Sequence, residues 1–367
     1  MKTWTRAPLL GLATLVGLGS GCSWMSSKGE ETPNASAGTS AGTSAGKDAG
    51  KDAGKDAGPV VATARQEASS DAGARPSRSP EVIAELGWGS GPSELGRTRP
   101  QEANPEGPMS LAVDARGDIL VLDQLNSRIL RLSPRGKVLG TLPTHLRAPQ
   151  ALTVAGDGSL LLLDRLLDRS VARLEPDTGK LLAKLPVRGK GVPEADLVTG
   201  LFSFEGSVYV EREHEELVRL DDPSAKADLP PSQLPGRPTA DGRAFLRANI
   251  LDRESGRLQL RVIDRETNQP RYTREYPLGF PLRTIRLLDS DRAGTLYLGV
   301  VGEFSSQPGL RVYCIAEREG TLLGHTELPL NTLPEETFSD FAVPDTGGVL
   351  YKHLTESGVT LLRAHCR

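Results

Sequence analysis

The feature that most constrains the fold of this chain is an internal repeat. A proline, a valine, a glycine, an aspartate and an arginine recur at an offset of 41 residues: Pro108, Val113, Gly117, Asp123 and Arg128 correspond to Pro149, Val154, Gly158, Asp164 and Arg169. In each copy an apolar run precedes the glycine, a second follows it, a third follows the Asp-x₄-Arg turn, and a fourth closes the unit (KVLGTL and KLLAKL). A repeat of about 40 residues that contains four short strands predicts one blade of a β-propeller.

Four weaker copies follow the first two, at 198–222, 237–264, 285–319 and 338–366. Each has the order strand, glycine turn, strand, turn, strand, and the six turn glycines are Gly117, Gly158, Gly206, Gly242, Gly294 and Gly347. The last copy lacks a fourth strand, and the segment EVIAELG (81–87) is the expected replacement. Closing a ring in this way removes a sheet edge that would invite aggregation. The sequence therefore predicts an all-β, six-bladed propeller over 81–367, closed by strand 81–87.

The first copy carries a recognisable family pattern. It resembles an NHL-type repeat, and the region 81–367 is similar to six-bladed propellers of the NHL and TolB-like groups. The NHL pattern places Asp, Asn and Arg in the turn between the second and third strands, and the matching residues are Asp123, Asn126 and Arg128. The second copy keeps Asp164 and Arg169 but has Leu167 in place of the Asn, and the later copies lose the set. The resemblance implies that these residues brace turns and neighbouring blades, with a ligand-binding role as the alternative.

The N-terminus, MKTWTRAPLLGLATLVGLGSGCSW, has the features of an export signal. Lys2 and Arg6 precede an apolar stretch, 9–18, that is too short to span a bilayer. The segment LGSGC resembles the lipobox of a bacterial lipoprotein, although Gly19 stands where that family usually has Leu. The resemblance implies removal of residues 1–21, attachment of fatty acids such as palmitate to Cys22, and anchoring in a membrane. A plain secretory signal is the alternative. Ser23 favours the outer over the inner membrane, which would place the propeller in the periplasm or at the cell surface.

Residues 22–80 are predicted to form a tether. They include SAGTSAGTSAGKDAGKDAGKDAG and have almost no large apolar side chains. Frequent glycine disfavours a helix, and such a composition cannot offset the entropy lost on ordering. We expect a disordered, Ala/Gly/Ser/Lys/Asp-rich spacer with a typical reach of roughly 40 Å. Cell-wall binding by the lysines is the alternative, and the alternating Lys and Asp disfavour it.

A search for catalytic and metal-binding patterns gives weak candidates. His214 in EREHEELVRL has Val218 four residues later, so a zinc-binding helix motif is absent there. Some enzymes with this predicted shape, including lactonase-like and streptogramin-lyase-like groups, carry acidic or His metal ligands around the central channel. The corresponding candidates here are Glu106, Asp114, Asp241 and Asp291. Asp114 and Asp291 lie beside turn glycines, at positions where a type I turn favours aspartate. We therefore predict no catalytic residue, no metal site and no cofactor.

The chain has three cysteines, Cys22, Cys314 and Cys366. Cys314 and Cys366 fall on the expected third strands of neighbouring units, and an exported protein can form disulfides. A bridge between them would pin the C-terminal strand. Alternatively, each is a buried apolar residue.

The charge composition bears on which classes of partner are expected. The formal net charge of -3 provides no basic surplus for a phosphate backbone, so nucleic acid is not an expected partner. The favoured hypothesis is a membrane-anchored, non-catalytic binding or scaffold module of the cell envelope, whose partners are the membrane, through the lipid on Cys22, and an envelope protein. The alternatives are a metal-dependent hydrolase or lyase of the lactonase-like kind and a cell-wall glycan binder.

Overall fold

The structure is a computed structural model that describes residues 79–189, 191–214, 216–220 and 233–366. The predicted signal peptide, Cys22 and nearly all of the predicted tether lie outside the described residues. Within them, the strands form six sheets, which are antiparallel except for one short parallel strand in the sheet that combines N-terminal and C-terminal strands. The chain is a six-bladed β-propeller, as the repeat predicts.

The strands of each blade are numbered from the axis outwards, because the first strands of blades 6, 1, 2 and 3 lie side by side. In blade 4 the second strand, Ala244–Asp252, contacts the first strand of blade 5. Blade 1 consists of Ser110–Val113, Ile119–Asp123, Arg128–Leu132 and Val138–Pro143. Blade 2 consists of Ala151–Val154, Leu160–Asp164, Ser170–Leu174 and Leu181–Pro186. Blade 3 consists of Val198–Phe204, Ser207–Arg212, Glu216–Arg219 and Gln233–Leu234. Two short 3₁₀ helices, Gln124–Asn126 and Ala195–Leu197, lie between strands.

The second half of the ring has longer strands. Blade 4 consists of Arg237–Pro238, Ala244–Asp252, Arg257–Asp264 and Pro270–Pro277. Blade 5 consists of Leu282–Ser290, Thr295–Phe304, Gln307–Ala316 and Leu322–Leu328. Blade 6 takes Phe341–Ala342, Val349–Thr355 and Gly358–Ala364 from the end of the chain and Glu81–Trp88 and Glu94–Leu95 from its beginning.

Ring closure uses the segment expected from the sequence. The strand Glu81–Trp88, named here the closing strand, runs antiparallel to Gly358–Ala364. In residues 89–96, named here the closing loop, Glu94–Leu95 forms a short strand parallel to Gly87 and Trp88. The N-terminal and C-terminal strands therefore share one sheet.

The turn glycines define the two faces of the disc. All six have a positive φ, between +70° and +89°, in the turns between first and second strands. Glycine adopts this conformation at little cost, which explains why it marks each repeat. We call the face that carries these turns the lower face. The upper face carries the turns between second and third strands.

The core consists of five apolar clusters, each shared by two neighbouring blades. They fill the interfaces of blades 1 and 2, 2 and 3, 4 and 5, 5 and 6, and 6 and 1. Among the described residues, the interface of blades 3 and 4, named here the seam, is built differently. Phe204 and Phe245 meet edge to face at 5.4 Å, and two arginines form ion pairs with glutamates there.

Strand length makes the upper face uneven. The second strand has five residues in blade 1 but nine in blade 4 and ten in blade 5. Because every second strand starts beside its glycine turn on the lower face, the additional residues project from the upper face. Four or five residues correspond to roughly 15 Å of strand. Blades 4 and 5 therefore form a wall on the upper face, across the axis from the shorter blades 1 and 2.

A disulfide joins Cys314 to Cys366, with Cα atoms 5.9 Å apart. Cys314 lies on the third strand of blade 5, as expected, whereas Cys366 lies two residues beyond the third strand of blade 6. The bridge links the end of the chain to the neighbouring blade. Constraining a loop of this length in the unfolded chain typically stabilises a protein by about 2–4 kcal/mol.

We expect reduction of this disulfide to lower the free energy of unfolding by about that amount. Urea unfolding of the full chain with and without reductant, with free thiols counted by alkylation, measures the change. The Cys314→Ala/Cys366→Ala variant is the control. Its free energy of unfolding should equal that of the reduced protein and should not change when reductant is added. Complete reduction without loss of stability would contradict the prediction.

Candidate functional site

The NHL-like residues of blade 1 hold the closing loop. The fully buried Asp123 carboxylate accepts hydrogen bonds from the Gly96 amide, Asn126 Nδ2 and Arg128 Nε, each at 2.8 Å. Arg128 also donates to carbonyls of the closing loop at 2.7 and 2.9 Å, and Asn126 donates to a third at 2.9 Å. These contacts join the upper turn of blade 1 to blade 6, so the three residues brace the position at which the ring closes.

The corresponding turn of blade 2 is one residue longer. Asp123 pairs with Arg128 across the blade 1 hairpin, whereas Asp164 pairs with Ser170 in blade 2. The constant offset of 41 therefore ends inside this turn, and Arg169 adopts a left-handed conformation with φ +46°. Asp164 accepts backbone hydrogen bonds from Ala148 and Leu167, at 2.9 and 2.8 Å, with no ion pair to Arg169 among the described residues.

A cleft of about 530 Å³ lies on the upper face between the closing loop and blade 1. Its walls include Trp88, Arg97, Leu125 and Asn126. The Arg97 guanidinium covers the Trp88 ring at 4.9 Å from the ring centre, and the indole N–H donates to the Thr355 carbonyl at 2.9 Å. Trp88 is therefore engaged with the protein and is not an open platform for stacking a sugar ring.

The four acidic candidates for a metal site do not converge. Glu106 lies in the connection that enters blade 1 from the upper face, where its backbone pairs with Thr98. The other three lie in lower-face turns, where their carboxylates accept backbone N–H groups: Asp114 from Arg116 and Asp118, Asp241 from Arg243, and Asp291 from Thr295. Within the described ranges no group of three or more His, Cys, Asp or Glu side chains is arranged to hold a metal ion.

A second cleft, of about 700 Å³, lies on the lower face between blades 4 and 5. Its walls carry both signs of charge, including Arg243, Arg292 and Asp241. Arg271 Nη1 donates to the buried Glu317 carboxylate at 2.9 Å. Burial raises the pKa of Glu317, the charge of Asp241 adds to this rise, and Arg271 opposes it. The charges of this cleft largely neutralise one another.

Two contacts organise the upper centre of the disc. Phe338, which precedes blade 6, packs against the clusters of blades 1 and 2 and of blades 2 and 3, and the Arg165 guanidinium lies 5.5 Å from its ring centre. The fully buried Lys352 Nζ lies 3.2 Å from Asp340 Oδ1 and donates to the Pro108 carbonyl. Burial lowers the pKa of Lys352, and Asp340 opposes that shift. These residues tie blade 6 to blade 1 near the axis.

The seam holds an ion pair between a buried glutamate and a half-buried arginine. Glu211, 2% exposed, is the next-to-last residue of the second strand of blade 3, and Arg237 starts the first strand of blade 4. Arg237 donates to both carboxylate oxygens, at 2.8 and 2.9 Å, and stacks over Phe202 at 5.5 Å. Burial alone raises the pKa of Glu211, but hydrogen bonds and charge from His214 and Arg237 lower it to about 2. Neither Glu211 nor Arg237 stood out in the sequence.

Stability is therefore expected to depend on pH through Glu211. Its pKa is depressed in the folded state, so its contribution is present above about pH 4.5 and is lost as the pH falls towards 2. Glu211→Gln should lower the free energy of unfolding by about 2–3 kcal/mol at pH 7, and this difference between variant and wild type should become smaller below pH 4. Urea unfolding of wild type and variant at several pH values measures the loss at pH 7 and its dependence on pH.

The matched control is Glu205→Gln. Glu205 also crosses the seam, to Arg265, but its side chain is 55% exposed. An exposed pair typically contributes less than about 1 kcal/mol. Equal losses for the two variants, or a Glu211→Gln difference that does not change with pH, would contradict the assignment.

Comparisons with known proteins show no family for this chain. No protein-family model matches the chain, and no curated protein is significantly similar to it. It is similar to a solved structure of Kuenenia stuttgartiensis hydrazine synthase, with 15% identity, a TM-score of 0.44, and coverage of 69% of this chain and 76% of the other. It is also similar to a streptogramin B lyase, with 12% identity, a TM-score of 0.37, and coverage of 74% of this chain and 97% of the other. A third similar structure is that of the WD40 repeats of RRP9, with 15% identity, a TM-score of 0.41, and coverage of 71% of this chain and 80% of the other. The propeller assignment rests on strand topology, not on these likenesses.

Proposed function

We propose that the protein is an exported lipoprotein, anchored through Cys22, whose propeller binds another protein of the cell envelope and catalyses no reaction. The observation that carries the binding role is a set of exposed leucines at the upper ends of blades 1, 2 and 4. Leu125, Leu166, Leu167 and Leu251 are 38%, 49%, 52% and 43% exposed. Contiguous exposed apolar side chains are a common mark of a protein-binding surface, and Leu166 and Leu167 are neighbours in one upper-face turn.

The anchoring half of the proposal rests on the sequence before Ser79. Within the described ranges, no helix has the length and apolar content needed to cross a bilayer. Labelled palmitate tests the anchor directly. The full chain should incorporate the label in a bacterial host, and the Cys22→Ala variant should not. Equal labelling of both would contradict anchoring at Cys22.

Crosslinking in intact envelopes tests the binding role. The tagged full chain should enrich defined envelope proteins, and Leu166→Asp/Leu167→Asp should lose them. The control is Leu139→Asp/Leu182→Asp, which changes equally exposed leucines, 51% and 53%, on the outer strands of blades 1 and 2. Retention of partners by both variants, or enrichment of background proteins alone, would contradict the proposed surface.

A further inference from the structure

The turn between the second and third strands of blade 2 departs from the repeat and exposes its side chains. In blade 1, the Asn and Arg of the equivalent turn both donate to the Asp123 carboxylate at 2.8 Å. In blade 2, Leu167 stands where the pattern has Asn, and it is 52% exposed. Arg169 is also exposed, and within the described ranges it forms no ion pair with the aspartate of its own blade. Side chains that would brace the turn are therefore replaced by side chains that face solvent.

Hydrogen bonds fix the backbone of this turn. Asp164 Oδ1 accepts from the Leu166 and Leu167 amides at 3.2 and 2.8 Å. Arg147 Nη2 donates to the Leu167 carbonyl at 2.8 Å, and the Val187 amide donates to the last carbonyl of the turn at 2.8 Å. Two exposed leucines are thus presented on a backbone that is already ordered. Such preorganisation lowers the entropy that is lost on binding.

Basic side chains accompany the two leucines. Arg169 and Arg188 are exposed, and neither guanidinium forms a hydrogen bond or an ion pair with another residue of the described part of the chain. Arg147 and Lys184, 65% and 44% exposed, share a single carboxylate, that of Asp168, at 2.7 and 3.3 Å. One acid therefore serves two bases, and two further bases have none. We call this surface the blade 2 corner, and it consists of Arg147, Leu166, Leu167, Arg169, Lys184 and Arg188.

The charge of this surface has the opposite sign to that of the whole chain, which has 44 Lys and Arg and 47 Asp and Glu. Hydrogen bonds join the segments 144–150, 165–169, 184–189 and 191–198 at the upper end of blade 2. These segments contain five Lys or Arg and three Asp or Glu. Two of the acids, Glu194 and Asp196, lie in the connection to blade 3. An occupant of the blade 2 corner must therefore offer apolar contact to the leucines and negative charge to the bases.

We propose that the blade 2 corner binds an acidic segment of a partner polypeptide, in which carboxylates flank at least one large apolar side chain. The inference rests on the proposed protein-binding function and names the chemistry of the partner at that same surface. Leu166 and Leu167 supply the apolar contact, and Arg169 and Arg188 supply positive charge that no described residue neutralises. Charge complementarity of this kind acts mainly on the rate and the specificity of association.

A membrane that contains anionic lipids offers similar chemistry but fits less well. The segment that would carry the lipid anchor joins the propeller at Glu81, which pairs with Arg363 at the lower end of blade 6. The blade 2 corner lies on the upper face. Because the chain enters from the opposite face, a separate polypeptide is the favoured occupant.

Peptide selection with charge-reversed variants tests the proposal. Random phage-displayed peptides are selected on the immobilised full chain, and the selected peptides are titrated in solution. We expect them to be enriched in Asp and Glu, and Arg169→Glu/Arg188→Glu should weaken their binding at least about tenfold. The matched control is Arg135→Glu/Lys180→Glu, which reverses two exposed charges in lower-face turns of blades 1 and 2. Because salt screens distant charges, the control should change binding less than about twofold.

The salt dependence of the wild-type chain decides the question if the charge-reversed variant does not fold. Raising NaCl from about 50 to about 500 mM shortens the range of electrostatic attraction, so binding of the selected peptides should weaken at least about fivefold. Binding that does not change with salt or with Arg169→Glu/Arg188→Glu would overturn the proposal. Failure to select any peptide, or selection of peptides without an excess of Asp and Glu, would overturn it as well.

Crosslinking in intact envelopes separates this proposal from the proposed function. Arg169→Glu/Arg188→Glu should lose the same proteins as Leu166→Asp/Leu167→Asp. If the leucine variant loses them and the arginine variant keeps them, the acidic partner is overturned and the protein-binding surface stands. The Cys22→Ala chain, mixed with vesicles, tests the other occupant. Binding to phosphatidylglycerol but not phosphatidylcholine vesicles, abolished by the two arginine substitutions, would overturn the choice of a polypeptide.

Discussion

Removal of residues 1–88 is expected to abolish the folded state, whereas removal of residues 1–78 should leave the unfolding transition unchanged. Without the closing strand, the edge of Gly358–Ala364 is exposed, and Leu86, only 4% exposed in the intact protein, no longer packs against Leu361. The closing loop remains, but it loses the strand with which Glu94 and Leu95 pair. The combined loss is about 5 kcal/mol or more, which is comparable with the whole stability of many domains.

Far-UV circular dichroism during urea titration compares the two truncations without relying on tryptophan, since the longer truncation removes Trp88. The shorter truncation is the control for removing the N-terminal region as such. A cooperative transition of the longer truncation at the same urea concentration as the full chain would contradict the role given to the closing strand.

Asp123→Ala is expected to lower the free energy of unfolding by about 3–5 kcal/mol. The variant leaves the Arg128 guanidinium, whose side chain is only 15% exposed, without its carboxylate. It also leaves the buried amide of Gly96 without its acceptor. Thermal and urea unfolding of the full chain measure the loss.

Asp164→Ala is the matched control, since Asp164 occupies the same repeat position and is equally buried. Its partners are backbone amides and no arginine, so we expect a loss of about 1–2 kcal/mol. Equal losses would mean that the ion pair of Asp123 with Arg128 adds nothing to ring closure.

The repeat made most of the fold predictable because the signals that define a blade are local. A glycine with positive φ, the apolar runs on either side of it and a polar hairpin turn can each be read without knowing which strands pair. The segment 81–87 was also predictable, because the last repeat visibly lacked its fourth strand. The position of Arg169 in the hairpin was not predictable. The turn in blade 2 is one residue longer than in blade 1, and this changes the strand register although the sequence pattern Asp-x₄-Arg is the same.

The seam and the short first strand of blade 4 depend on contacts that the sequence does not specify. RAFLRANILDRESGRLQLRVID indicates two long strands, but nothing in it reports that the preceding strand is only two residues long. Likewise, Glu211 and Arg237 are 26 positions apart, and they meet only because neighbouring blades bring them together. Pairing across blades is a tertiary property, and strand propensity carries little information about it.

Disulfide mapping of an engineered pair is the most direct test of ring closure by the N-terminal strand. Glu85 pairs with Thr360 across the closing strand, so the two Cα atoms lie within bridging distance. Glu85→Cys/Thr360→Cys in the full chain should therefore yield that crosslinked peptide on mild oxidation, as identified by mass spectrometry. Glu81→Cys/Thr360→Cys, displaced along the strand by roughly 10–13 Å, should not. An unlinked first pair in a protein that retains its Cys314–Cys366 bridge would contradict closure, and a linked second pair would contradict the register.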